Sequence, residues 1–168
     1  ENLDKVKIKE CRIRPKDIRN IHAYLTEEAK GLGKGLIMIN LKKLFPGREI
    51  NSNNLFVPSR FNYIILKLNA FNDRKDDIKS DYGRHHAYDI FACVTDMTEE
   101  DWKNAKDHFV KDKNEIYMTK TIEIQKNLFS TDEDLGIIRI KENISYKKNI
   151  EHFDKYIPEF INDLKDLF

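Results

Sequence analysis

At Ser59 the spacing of apolar residues changes, and that change fixes most of what the chain can fold into. Phe61, Ile64, Ile65, Leu68 and Phe71 fall at i, i+3, i+4, i+7 and i+10, which is one buried stripe along a helix. Pro58-Ser59 marks its entrance, with Ser59 as N-cap. A polar stretch from Asn72 to Asp81 follows, read as a solvated loop or a helix extension. A second helix then presents Ala87, Ile90, Phe91, Val94 and Met97 on one face. Thr98 caps a third helix whose Glu99, Glu100 and Asp101 suit the positive end of the helix dipole, with Trp102, Ala105 and Phe109 as core contacts. The spacing predicts a further helix over Glu115 to Phe129 and a short strand or turn around Gly136 to Ile140. It also predicts a last amphipathic stretch from Ile150 through Phe153, Ile157, Phe160, Ile161, Leu164 and Phe168, which Pro158 kinks or restarts.

Before Ser59 the pattern is different. Val6-Lys7-Ile8-Lys9 fits a half-buried strand, and Lys16 to Lys30 a weaker helix with a start at Thr26-Glu27-Glu28. Gly31, Gly33 and Gly35 read as turn residues, because a phosphate-binding loop would end in Gly-Lys-Ser/Thr after a strand. Leu36 to Ile39 is a compact apolar strand. After the Pro46-Gly47 turn, Ile50 to Val57 holds a second, though Asn-Ser-Asn-Asn interrupts it. Strands first and helices after predict an α+β class: one domain over 1–168, with 1–58 mainly strands and turns and 59–168 mainly helical. The opening ENLDKVKIKE lacks Met and an apolar signal core, which fits a fragment of a longer protein.

The chain has 168 residues, 35% of them charged, and a net charge of +1. That length supports one real core. The charge balance gives no global case for nucleic-acid binding. No apolar run approaches the roughly 18 residues of a membrane span, so no membrane partner is expected. Cys11 and Cys93 lie far apart without a CxxC motif and read as free thiols in a reducing cytoplasm.

Chemistry concentrates in GRHHAYDIFACV, Gly83 to Val94. On a helix His85 and Asp89 are i and i+4, and His86 and Asp89 are i and i+3, so either imidazole can reach the carboxylate. A carboxylate beside imidazole fixes its tautomer and raises its basicity, as a general base or a metal ligand requires. On the preceding helix Lys67 and Arg74 are seven apart and project in similar directions, with Ala70 between them. Together they offer donors and positive charge to a phosphate. Plainer readings stand beside these: a surface or satisfied core His–Asp pair, and a structural salt bridge from Lys67 or Arg74 to Asp76, Asp77 or Asp89. HHxxD supplies too few ligands to make a metal site by itself. Cys93 lies in an apolar run, which argues for an inert thiol rather than a nucleophile.

VPSRFNYIILKLNAFNDRKDD followed by RHHAYDIF resembles the C-terminal signature of nucleotidyltransferase-like proteins of the abortive-infection AbiEii type. That signature carries lysine, alanine and arginine on one helix and an aspartate-leucine pair on the next. Lys67, Ala70, Arg74 and Asp89-Ile90 match it, and the resemblance spans Leu55 to Trp102. It implies a nucleotidyltransferase fold and Mg²⁺-dependent transfer from a nucleoside triphosphate to a protein or RNA acceptor. Lys67 would contact phosphate, and Asp89 would orient or support the active site. The phosphate-facing patch would comprise Lys67, Arg74 and Arg84, with Asp89, His85 and His86 as candidate catalytic residues. The family's Gly-Ser or Gly-Gly turn and Asp-x-Asp strand have no counterpart in this sequence, and His86 stands where the family more often has an acidic residue. Without those paired carboxylates the chain alone lacks the grip on Mg²⁺ that in-line transfer requires. Two alternatives therefore remain open: a non-catalytic binding or regulatory module of a toxin–antitoxin-type system, and a small metal-dependent hydrolase built on His85, His86 and Asp89.

Overall fold

The structure is a computed structural model that describes residues 35–49, 54–149 and 153–168. The readings made on Val6 to Lys9, on Lys16 to Lys30, on Gly31 and Gly33 and on Cys11 lie outside the described residues. Strand β1 (Leu36–Asn40) pairs antiparallel with β2 (Asn54–Pro58), placing Leu36 opposite Pro58 and Met38 opposite Phe56. A single helical turn, α1 (Leu41–Leu44), lies in their connection, its first turn held by the Asn40 side chain accepting from the Lys43 N–H at 3.1 Å. Sequence spacing had given no sign of it. The hairpin leaves Leu36, Ile37, Met38, Leu55 and Phe56 exposed, so the core is elsewhere.

That core is helical. Helix α2 (Arg60–Arg74) starts where expected, with Ser59 Oγ accepting from the Asn62 N–H, and buries Phe61, Ile64, Ile65, Leu68 and Phe71. Each such side chain contributes on the order of 1.5–3 kcal/mol by leaving water. Helix α3 (Arg84–Thr95) buries Ala87, Ile90, Phe91 and Val94. Helix α4 (Glu99–Asp112) opens with a capping box, in which Thr98 and Asp101 satisfy each other's backbone N–H. Ala105 is fully buried there, while Trp102 and Phe109 pack at the margin. Helix α5 (Ile116–Leu128) occupies the span read from the sequence. Among the described residues no helix is long and apolar enough to cross a membrane.

The segment around Gly136 to Ile140 departs from expectation. It is neither strand nor turn but helix α6 (Leu135–Glu142). Its isoleucines favour strands intrinsically, but Ile137 and Ile140 lie three apart and both are fully buried. Burial on a helical face outweighs a propensity difference of at most ~1 kcal/mol. Gly136 makes the docking possible: a Cβ there would stand 2.4 Å from the Leu128 carbonyl oxygen and from the Phe129 ring. After a short turn, α7 (Ile144–Lys147), and a 3-10 turn (Asp154–Tyr156), the last helix α8 (Ile157–Asp166) restarts at Pro158 in its first turn.

Helix α2 packs against α3, α4 and α5, and α3 packs in turn against α6 and α8. Aromatic rings fill the junctions: Phe71 meets Phe129 edge-on at 5.1 Å, and Phe91 gathers Tyr146, Phe153 and Phe160 within 6 Å. A two-stranded sheet followed by packed helices is the α+β arrangement.

Candidate functional site on the paired helices

The relation between α2 and α3 is set by a sharp reversal. Asp81, Tyr82 and Gly83 have φ of +52°, +52° and +69°. Three successive residues in the left-handed region are unusual, since only glycine enters it without penalty. The reversal persists because both its sides are fastened. A Cβ on Gly83 would stand 3.0 Å from the Phe71 ring, so α3 starts in direct contact with α2. On the other side the Tyr82 ring lies under Arg84 and Arg139, at 5.4 and 4.7 Å from their guanidinium carbons.

This turn brings two polar pairs into register across the helices. Lys67 Nζ donates to Asp89 Oδ2 at 2.6 Å and lies 5.0 Å from the centre of the Tyr63 ring, one turn earlier on α2. The pair is partly open, with side-chain exposures of 22% and 35%. Burial works to lower the Lys67 ammonium. The hydrogen bonds to Asp89 and Tyr63 and their charges outweigh it, so its pKa ends above the ordinary lysine value. Two turns along α2, Arg74 Nη1 stands 2.7 Å from His86 Nε2.

A guanidinium only donates, so His86 Nε2 must be the acceptor. The imidazole is therefore neutral and carries its hydrogen on Nδ1. Nδ1 is buried and finds no hydrogen-bond partner among the described residues. Burial, then the charges of Lys67 and Arg74, hold the His86 pKa below the ordinary histidine value, and Asp89 only partly opposes them.

Of the six candidates read from the sequence, four converge: Lys67, Arg74, His86 and Asp89. Spacing lets either histidine of the same helix reach Asp89, but the carboxylate is taken by Lys67 across the helix pair, the salt bridge that stood as the plainer reading. Of the three acidic partners considered for Lys67, Asp89 is the one chosen. Arg84 turns away, donating to Glu142 of α6 at 3.0 Å and to Asp81 at 2.8 Å. His85 is largely exposed, its Nε2 3.8 Å from Asp81. His85, His86 and Asp89 thus face three different partners rather than one ligand position. Cys93 lies beside the Arg60 carbonyl, and burial pushes its thiol up, which keeps it an inert neutral group.

Sequence reasoning missed Tyr63, although its i, i+4 spacing to Lys67 was available. It also missed a buried polar link between α4 and α5, in which the Tyr117 hydroxyl donates to Asp112 and Asp112 lies 3.3 Å from His108 Nε2.

Lys67 and Arg74 bring two positive charges against the one of Asp89, with His86 neutral. Lys67 and Arg74 stand seven residues apart on α2, ~10 Å along its axis at the backbone. Of carboxylates this cluster has Asp89 alone, already held by Lys67, which is too few oxygen ligands for these residues by themselves to hold Mg²⁺. Among the described residues no group of three or more His, Cys, Asp or Glu is gathered for a metal. Comparisons with family models, with curated proteins and with solved structures each return no match to this chain.

Proposed function

We propose that this chain binds the phosphates of a nucleoside triphosphate at the α2–α3 pair, as the C-terminal part of a nucleotidyltransferase-like protein of the AbiEii type. In that role it assists nucleotidyl transfer to a protein or RNA acceptor. The observation that carries the reading is the Lys67–Asp89 ion pair, 2.6 Å across two helices and open to solvent on one side. It unites the lysine and the aspartate of the motif in one site, with Arg74 of the same motif two turns away. Lys67 acts as a point charge and Arg74 as a planar fork, two complementary ways of holding phosphate oxygens. Asp89 accepts from the ammonium at 2.6 Å and aims it. The residues at this site bind and orient; no metal-dependent step is assigned to them.

Titration of the chain with ATP, followed by calorimetry, tests the reading. Lys67→Ala should weaken binding about tenfold or more, since a hydrogen bond to a charged group contributes about 1.5–3 kcal/mol. Absence of ATP binding, or binding indifferent to Lys67→Ala, sinks it.

A further inference from the structure

We infer that anion binding at the α2–α3 pair is coupled to proton uptake by His86, so that the site takes oxyanions more tightly as pH falls. The inference rests on the phosphate-binding reading of Lys67 and Arg74 and adds a role for the histidine between them. In the free protein the Arg74 guanidinium covers His86 Nε2 at 2.7 Å. An imidazolium cannot keep that contact, because Nε2–H and the guanidinium would both be donors. His86 is thus locked neutral for as long as Arg74 lies on it.

An oxyanion offers Arg74 a better acceptor than a neutral nitrogen. Once Arg74 donates to the anion, Nε2 faces a negative charge in place of a positive one and can bind one proton from solvent. The product is an imidazolium whose Nε2–H is a further donor to the same anion. Between the free and bound midpoints of His86 up to one proton is taken up for each anion bound, and no other covalent bond changes.

The groups facing His86 are Lys67 and Arg74 from α2, with Asp89 and His85 from its own helix. Of these His85 is the other imidazole. Its exposed ring lies beside Asp81 rather than in the cluster, so its response can be told apart. The sign follows from the direction of the shift. In the free protein His86 protonates below the ordinary histidine value, and with anion bound it protonates above that depressed value. Between those two pH values the bound form holds a proton that the free form lacks, and affinity climbs as pH drops through that window.

The test is an NMR pH titration of the histidine Cε1–H signals of the whole chain, with sodium sulfate or with sodium chloride at equal ionic strength. Sulfate remains a dianion throughout, so any change in protonation belongs to the protein. His86→Gln assigns one signal among the five histidines. The expected result is a rise of about one pH unit in the His86 midpoint with sulfate, equivalent to about tenfold tighter sulfate binding at the acid end than at the alkaline end. In Arg74→Gln the midpoint should no longer respond to sulfate. If sulfate moves the Lys67 and Arg74 side-chain signals but leaves the His86 midpoint in place, the coupling is refuted while the anion site stands. If neither sulfate nor ATP moves the Lys67 or Arg74 signals, the site reading falls and the coupling with it.

Discussion

Asp89→Asn separates the two things that Asp89 does for Lys67. The substitution keeps shape and an acceptor oxygen but removes the charge. A pair of this kind, with side chains 22% and 35% exposed, sits between two regimes. Fully exposed pairs contribute about 0.2–1 kcal/mol, while breaking a buried pair costs about 3–5 kcal/mol because a charge is left without a partner. Lys67 retains access to water and the Tyr63 ring at 5.0 Å, so the ammonium is not stranded. The expected loss is about 1 kcal/mol, seen in urea unfolding as a lower midpoint at unchanged slope, and as a fall of about 2–4 °C in Tm. Anion affinity should move the other way. Removing a competing negative charge ~4 Å from the ligand, in contact with water, is worth about 1 kcal/mol, or about fivefold tighter ATP binding. A double-mutant cycle with Lys67→Met should return a coupling near the stability loss of the single variant. The reasoning fails if Asp89→Asn weakens ATP binding. It fails equally if stability drops by more than ~3 kcal/mol, the figure for a sealed pair.

Two other perturbations probe the fold that presents the site. Gly136→Ala places a methyl 2.4 Å from the Leu128 carbonyl oxygen and the Phe129 ring, so α6 must shift; a loss of about 1–3 kcal/mol in urea unfolding is expected, and no loss would show that the α5–α6 junction is looser than drawn. Thr98→Ala removes the side-chain half of the α4 capping box and should lower stability by about 1 kcal/mol, without altering the midpoint at which ATP saturates.

The helices were legible because their signals are local. The stripe from Phe61 to Phe71, the caps at Ser59 and Thr98 and the restart at Pro158 each depend on neighbours within a turn or two. Helix α6 was not, because Gly136 and a run of isoleucines read locally as turn or strand, and what decides the matter is burial against α5. The same division runs through the site. Spacing put Lys67 and Arg74 on one face and His86 and Asp89 on another. Which residue faces which depends on the left-handed turn at Asp81-Tyr82-Gly83, and an aspartate followed by a tyrosine gives no notice of that conformation. The placement of Arg84 was hidden for a related reason: Glu142, its partner, is 58 residues further along, beyond the reach of any periodicity.

Helix α2 is both the central post of the core and the carrier of Lys67 and Arg74. It packs against α3, α4 and α5, so the amides on its buried face should exchange with deuterium only when much of the core opens. A ligand held by Lys67 and Arg74 would therefore slow exchange throughout the helical core rather than in a patch around itself. The face that carries Lys67 and Arg74 is one side of a core helix, so what loosens the core loosens that face as well.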